Sequence, residues 1–144
     1  MSYKFARINL AQTHYQSTVI WQYLREPNID QLNSIYHAYC RYKKFDSVMP
    51  IFDSRYLDPN TDVIGYYDRD QLVAFSLIMR YDHHNAMCDQ FAWTYHDPQL
   101  RLGIESLKTE CAIYRDRGFQ YLYLDQAHTY KKEIEGFEIL GPIT

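Results

Sequence analysis

The chain changes its hydrophobic period several times, and each change marks an element. Tyr3 to Leu10 alternates apolar and polar positions (Phe5, Arg7, Ile8, Leu10), as an opening strand does. Thr18 to Leu24, TVIWQYL, is too short for its β-branched residues to decide between helix and strand. From Ile29 to Phe45 the period lengthens. Ile29, Leu32, Ile35, Tyr36 and Tyr39 recur at helical spacing, and Asn28 or Asp30 can cap the start. The segment DSVMPIFDSRYLDPNTD, broken by Pro50 and Pro59, reads as a loop.

A shorter period then returns. Val63 to Tyr67, a turn at Asp68-Arg69-Asp70, and Leu72 to Met79 make a strand–turn–strand, and after a second turn near Asn85 a strand runs from Ala86 to Tyr95. Asp97-Pro98 suits a helix start, with Asp as cap and Pro in the first turn, where its missing N–H costs nothing. From Leu102 to Arg117, Ile104, Leu107, Cys111 and Tyr114 share a face, and Gly118 is placed to stop the helix. FQYLYLD, Phe119 to Asp125, is apolar on both faces, as a covered central strand is. Gln126 to Glu135 reads as helix, and Gly136 to Leu140 as a last strand. Strand, helix, β-meander, helix, strand, helix, strand is an α/β order. It predicts a mixed sheet flanked by helices in a single domain spanning residues 1–144.

Composition narrows this picture in three places. Fifteen of the 144 residues are Tyr, which suits a polar cleft, a partner surface or a tyrosine-rich core. A net charge of −3 argues against nucleic-acid binding through the overall field. Cys40, Cys88 and Cys111 are an odd number with no C-x-x-C pair, so they read as reduced thiols. With no apolar signal-like start and no run able to cross a bilayer, the expectation is a cytoplasmic chain without a membrane partner.

LVAFSLI (Leu72 to Ile78), TYHDP (Thr94 to Pro98), LGI (Leu102 to Ile104), YLYL (Tyr121 to Leu124) and YKK (Tyr130 to Lys132) follow one another in an order that resembles the GNAT superfamily of acyltransferases. Within it, the likeness is nearest to the C-terminal half of the aminoacyl-tRNA–protein (arginyl and leucyl) transferases, over residues 62 to 140. The resemblance implies a GNAT-like, mainly antiparallel sheet. In this superfamily the turn before the long helix reads Q/R-x-x-G-x-G/A, and its N–H groups hold the pyrophosphate of acetyl-CoA. Gly103 fits the first glycine. Leu100 stands where Gln or Arg belongs, Arg101 comes one place late, and Glu105 replaces the second small residue. A carboxylate there repels a pyrophosphate and obstructs close backbone approach. An aminoacyl-ester donor, as the transferase likeness implies, does not need that cradle. The donor stays open between acetyl-CoA and another acyl donor.

The resemblance places the donor against Phe91 to Tyr95. Trp93 and Tyr95 become walls of the site, and Arg101, Leu102, Gly103 and Ile104 its phosphate end. Trp93 reads rather as core. DQAHTYKK supplies Asp125 or His128 as base and Tyr130 as the acid for a leaving thiolate or alkoxide. Against these roles stand a surface histidine and a structural tyrosine. YDHHNAMCD collects Asp82, His83, His84, Cys88 and Asp89, but neighbouring histidines of a strand face opposite ways, so a polar turn rather than a metal site is expected. Cys111, on the apolar helix stripe, reads as inert packing. The expected partners are a small-molecule or peptide amine acceptor, tRNA through the resemblance alone, and a second copy of the chain in a homodimer. The rival reading is a non-catalytic GNAT-like binding or assembly domain with a degenerate donor site.

Overall fold

The computed structural model describes residues 3–44, 58–94, 101–124 and 134–143. Seven strands form one sheet: β1 (Tyr3–Asn9), β2 (Ile20–Tyr23), β3 (Thr61–Asp68), β4 (Gln71–Arg80), β5 (Asn85–Trp93), β6 (Tyr121–Leu124) and β7 (Phe137–Ile143). The helices are α1 (Ile29–Lys43) and α2 (Leu102–Asp116). Spatial order is β2-β3-β4-β5-β6-β1-β7. Every neighbouring pair is antiparallel except β5 and β6, which run parallel because α2 carries the chain across between them. The expected mixed, mainly antiparallel α/β architecture is what forms.

The sheet is apolar on both sides because residues of opposite parity serve different helices. Leu32, Ile35, Tyr36 and Cys40 of α1 pack with Val63, Phe75, Leu77 and Ala92. Leu107, Cys111, Ile113 and Tyr114 of α2 pack with Ile64, Tyr66, Ala74 and Ile78. Adjacent strand residues point to opposite faces, so the two helices cover opposite sides.

Local chemistry sets the boundaries. Asn28 caps α1 by accepting the Gln31 N–H at 3.1 Å. Gly118, at φ +87°, ends α2 with paired bonds: its N–H donates to Arg115 O at 3.0 Å, and Phe119 N–H to Tyr114 O at 2.9 Å. The Tyr114 and Phe119 rings, 5.2 Å apart, seal that end. Gly136, at φ +74°, opens β7 where a Cβ would lie 2.4 Å from the Asn9 carbonyl oxygen. Arg69 and Asp70 both take positive φ in the two-residue β3–β4 turn.

Several expectations shift. TVIWQYL resolves as strand, because Ile20 to Tyr23 pairs with Tyr67 to Ile64 at the sheet edge. Asn85 is the first residue of β5 rather than a turn residue. The long helix begins at Leu102 behind an Arg101 cap, while Asp97 and Pro98 lie outside the described residues. YLYL is covered on one face: Leu122 and Leu124 are buried, but Tyr121 and Tyr123 stay partly open on a side where Arg7 lies 3.8 Å above the Tyr121 ring. Ile134 to Gly136 is a turn, not the end of a helix, and the rest of the expected Gln126–Glu135 helix falls outside the described residues. Among the described residues, no helix is long and apolar enough to cross a membrane.

Candidate functional site

The site begins at the parallel pair of the sheet. Within the described residues β6 pairs with β5 over Asn85↔Tyr121 to Cys88↔Leu124, and β5 continues to Trp93. At the same level β5 carries a bulge: its register with β4 passes from Ile78↔Cys88 to Leu77↔Gln90, leaving Asp89 as the extra residue. A bulge kinks its strand and re-aims neighbouring groups.

The N-terminus of α2 follows β5. Arg101 caps it in the left-handed region (φ 49°, ψ 47°), with its side chain exposed and making no capping bond. Ile104 and Glu105 N–H groups both donate to Arg101 O, at 3.1 and 3.0 Å. Leu102 and Gly103 N–H groups are left without an intrahelical acceptor, and the helix dipole adds positive potential there. A Cβ built on Gly103 would meet nothing within 4 Å. Among the described residues no neighbour demands glycine at this position, so the space is open to a ligand approaching the backbone. Free N–H groups at a helix start are of the kind that bind a pyrophosphate.

Glu105 is less of an obstacle than its position in the sequence suggests. Its carboxylate accepts the Thr18 hydroxyl at 2.6 Å and lies 3.7 Å from Lys108 Nζ. It thereby lines a 270 Å³ cavity with Leu102, the Thr18–Ile20 segment and Tyr67 to Arg69.

Of the residues expected at the site, Leu102 is buried in the core and Ile104 is half-buried beside it. Trp93 is 8% exposed, with its ring 5.1 Å from Tyr39 and 5.0 Å from Tyr42 of α1. It thus joins the end of β5 to α1. Tyr95, Asp125, His128 and Tyr130 lie outside the described residues. His83 and His84 fall in the turn ahead of β5, where Asp82 accepts the His84 and Asn85 N–H groups at 2.7 and 2.8 Å. Those N–H groups hold the Asp82 carboxyl below its ordinary pKa, the His84 bond contributing most. Burial, reinforced by the Glu110 charge, pushes the Cys111 thiol far up, so it stays protonated.

The largest polar feature of the α2 face was not singled out from the sequence. Glu110, 3% exposed, reaches from α2 to the sheet. Its Oε1 accepts from Tyr66 of β3 at 3.0 Å and from Ser76 of β4, and its Oε2 accepts from the Cys88 thiol of β5 at 3.2 Å. Tyr66 and Ser76 hydroxyls are themselves 3.0 Å apart. Burial above all, and then the Glu110 charge, raises Tyr66 well above the ordinary phenol range. Two irregularities signal this cluster in the sequence. A glutamate interrupts the stripe of Leu107, Cys111 and Tyr114, and a serine interrupts LVAFSLI.

A second opening, of 690 Å³, lies at the far end of α2 and is lined by Tyr23, Arg25, Asp58, Asp62 and Arg117 among others. There Asp62 accepts from Tyr114 at 2.6 Å and from Arg117 at 2.9 Å, and Arg80 lies 3.2 Å away. These bonds tie the C-terminal end of α2 to β3. Fifteen residues of helix, roughly 22 Å, separate this anchor from the first turn.

A mainly antiparallel sheet with one parallel pair joined by a helix is a GNAT-like arrangement, and solved structures bear out that fold. A GCN5-related N-acetyltransferase from Anabaena variabilis matches with TM-score 0.64 at 7% identity, over 98% of this chain and 38% of that one. The C-terminal domain of a putative lysylphosphatidylglycerol synthetase from Agrobacterium fabrum matches with TM-score 0.66 at 12% identity, over 87% and 47%. A GNAT family acetyltransferase from Elizabethkingia anophelis, solved with acetyl-CoA bound, gives 0.51 at 9%, over 76% and 65%. The chain spans about half the length of the synthetase domain or less than half that of the Anabaena protein. No protein-family model matches the sequence, and no curated protein matches it.

Proposed function

We propose that the chain transfers an acyl or aminoacyl group to an amine, with the donor held between β5 and the first turn of α2. The observation that carries this reading is the first turn of α2, where Gly103 leaves open space beside the backbone and the helix follows the inner strand of the parallel pair. The N–H groups of that turn and the helix dipole suit an anionic donor. Leu102 and Gly103 N–H groups and the Arg101 guanidinium are the groups that would hold the phosphates of an acyl-CoA, which would supply an activated thioester. The acetyl-CoA-bound Elizabethkingia protein supports a CoA donor, and the synthetase likeness supports an aminoacyl donor. The sequence likeness to aminoacyl-tRNA–protein transferases adds weight to the second. Asp125, His128 and Tyr130 remain the proposed proton-handling groups, and a cytoplasmic site of action remains the expectation.

Calorimetric titration with acetyl-CoA, then with CoA alone, tests the donor. Micromolar binding supports the CoA donor, and Glu105→Gln should tighten it about two- to fivefold by removing a negative charge from the first turn. Absence of binding to both, together with no reaction with aminoacyl-tRNA, would leave the non-catalytic binding domain as the better reading. Glu105, standing in the first turn, is the observation that favours that alternative.

A further inference from the structure

The larger cavity stands apart from the donor groups, at the other end of α2. Its 690 Å³ is the size of a small-molecule site, and Leu24, Ile29 and Val63 give it apolar walls. One polar wall is fixed from several sides. Arg117 Nη1 donates to Asp62 Oδ2 at 2.9 Å and to the Tyr23 hydroxyl at 3.0 Å. The same guanidinium lies 5.2 Å from the Tyr114 ring centre, 5.3 Å from that of Phe119 and 5.7 Å from that of Tyr23. Its hydrogen bonds use only one nitrogen. The Nε–Nη2 edge, which can grip a carboxylate with two parallel bonds, has no partner among the described residues.

Anchoring the helix end accounts for the bonds to Asp62, but further charges surround the opening. Arg80 also lies 3.2 Å from Asp62 Oδ2, so two guanidiniums share one carboxylate and this corner carries surplus positive charge. Arg25 lines the cavity with no hydrogen bond or ion pair among the described residues. Opposing these cations, Glu26 and Asp58 stand exposed on the same lining. A ligand of one sign meets repulsion here. A phosphate dianion faces the two carboxylates and the negative end of the α2 dipole, and a simple amine faces the guanidiniums. A molecule bearing both signs meets a partner for each.

We propose that this cavity binds a small zwitterion of the amino-acid type, a free amino acid or a dipeptide, with its carboxylate on Arg117 and its ammonium toward Glu26 and Asp58. Arg25 supplies a second cation from the segment between β2 and α1, and the apolar side chain of the ligand lies against Leu24, Ile29 and Val63. The site is separate from the donor groups and stands whether or not the chain transfers acyl groups.

Calorimetric titration of the full chain with leucine and with leucyl-leucine tests it, beside three controls. These are 4-methylpentanoate, which keeps the carboxylate, 3-methylbutylamine, which keeps the ammonium, and inorganic phosphate. The expected result is saturable binding of a zwitterion in the millimolar range or tighter, with every control at least about tenfold weaker. Whichever zwitterion binds tighter sets the distance between the two charges. Arg117→Lys keeps the charge but not the fork, and should weaken binding on the order of tenfold. Arg25→Gln and Glu26→Gln, at exposed positions without partners among the described residues, should each weaken it about threefold with melting temperature unchanged. Those two variants carry the test even if Arg117→Lys does not fold. No binding of either zwitterion, equal binding of a control, or unchanged affinity in the variants overturns the proposal. Competition by acetyl-CoA overturns it as well, since the zwitterion would then sit at the donor groups. Zwitterion binding by a protein that takes no acetyl-CoA supports the cavity and counts against the CoA donor.

Discussion

The two faces of the central strands are built on different terms. Beneath α1, Phe75, Leu77 and Ala92 meet Leu32, Ile35 and Cys40 in an apolar cluster. Beneath α2, the same strands turn Tyr66, Ser76 and Cys88 toward Glu110. Both faces are closed to water, but among the described residues only the α2 face buries a carboxylate, which must be hydrogen-bonded to be tolerated there.

Truncation should separate them most sharply. Phe75→Ala, at a fully buried position on the apolar face, should cost about 3–5 kcal/mol in urea denaturation, while donor affinity per folded molecule is unchanged. Glu110→Ala should cost less, about 2–3 kcal/mol, since the Tyr66 and Ser76 hydroxyls can still bond to each other. A double-mutant cycle with Ser76→Ala should be non-additive, and strict additivity would mean that the polar face is not one network.

Gly103→Ala probes the edge of the same face with the opposite sign on stability. With open space around its Cβ, the substitution should stabilise α2 by up to about 1 kcal/mol, yet weaken acetyl-CoA binding about tenfold if the phosphates approach that backbone. Stabilisation without loss of binding would move the donor away from the helix N-terminus. The smallest effect concerns neither face. Glu135 accepts the His14 N–H at 2.9 Å, and that bond, followed by the His14 ring, lowers its carboxyl below 4.5. A depressed carboxylate stabilises the fold above its unfolded pKa, and that contribution disappears as pH falls through the folded value. The gap in melting temperature between the protein and Glu135→Gln should therefore close on acidification below about pH 4.5.

Sequence periodicity reached far into this architecture because most elements obey a single rule. The Leu107–Cys111–Tyr114 stripe and the Gly118 stop read directly as a helix ended by left-handed backbone. Ile20 to Tyr23 did not, because its conformation comes from pairing with β3 and not from its own four residues. The covered YLYL strand was half right, since parity shows which side chains face outward but not what lies over them. Gly103 was legible as a glycine at the start of a helix. Glu110 was not, because a charge on an apolar stripe acquires meaning only when Tyr66, Ser76 and Cys88 arrive from 22 to 44 residues away.

The position of β1 has a consequence for how the chain is made. β1 lies between β6 and β7, pairing Ile8 with Leu122 on one side and Phe137 on the other. During synthesis Ile8 leaves the ribosome more than a hundred residues ahead of its sheet neighbours Leu122 and Phe137. The β3–β4–β5 meander can form from neighbours in sequence, while β1 waits with both hydrogen-bonding edges open. Nascent chains stalled before residue 121 should therefore carry β1 as an unsatisfied strand, and that is where a holdase would be expected to bind.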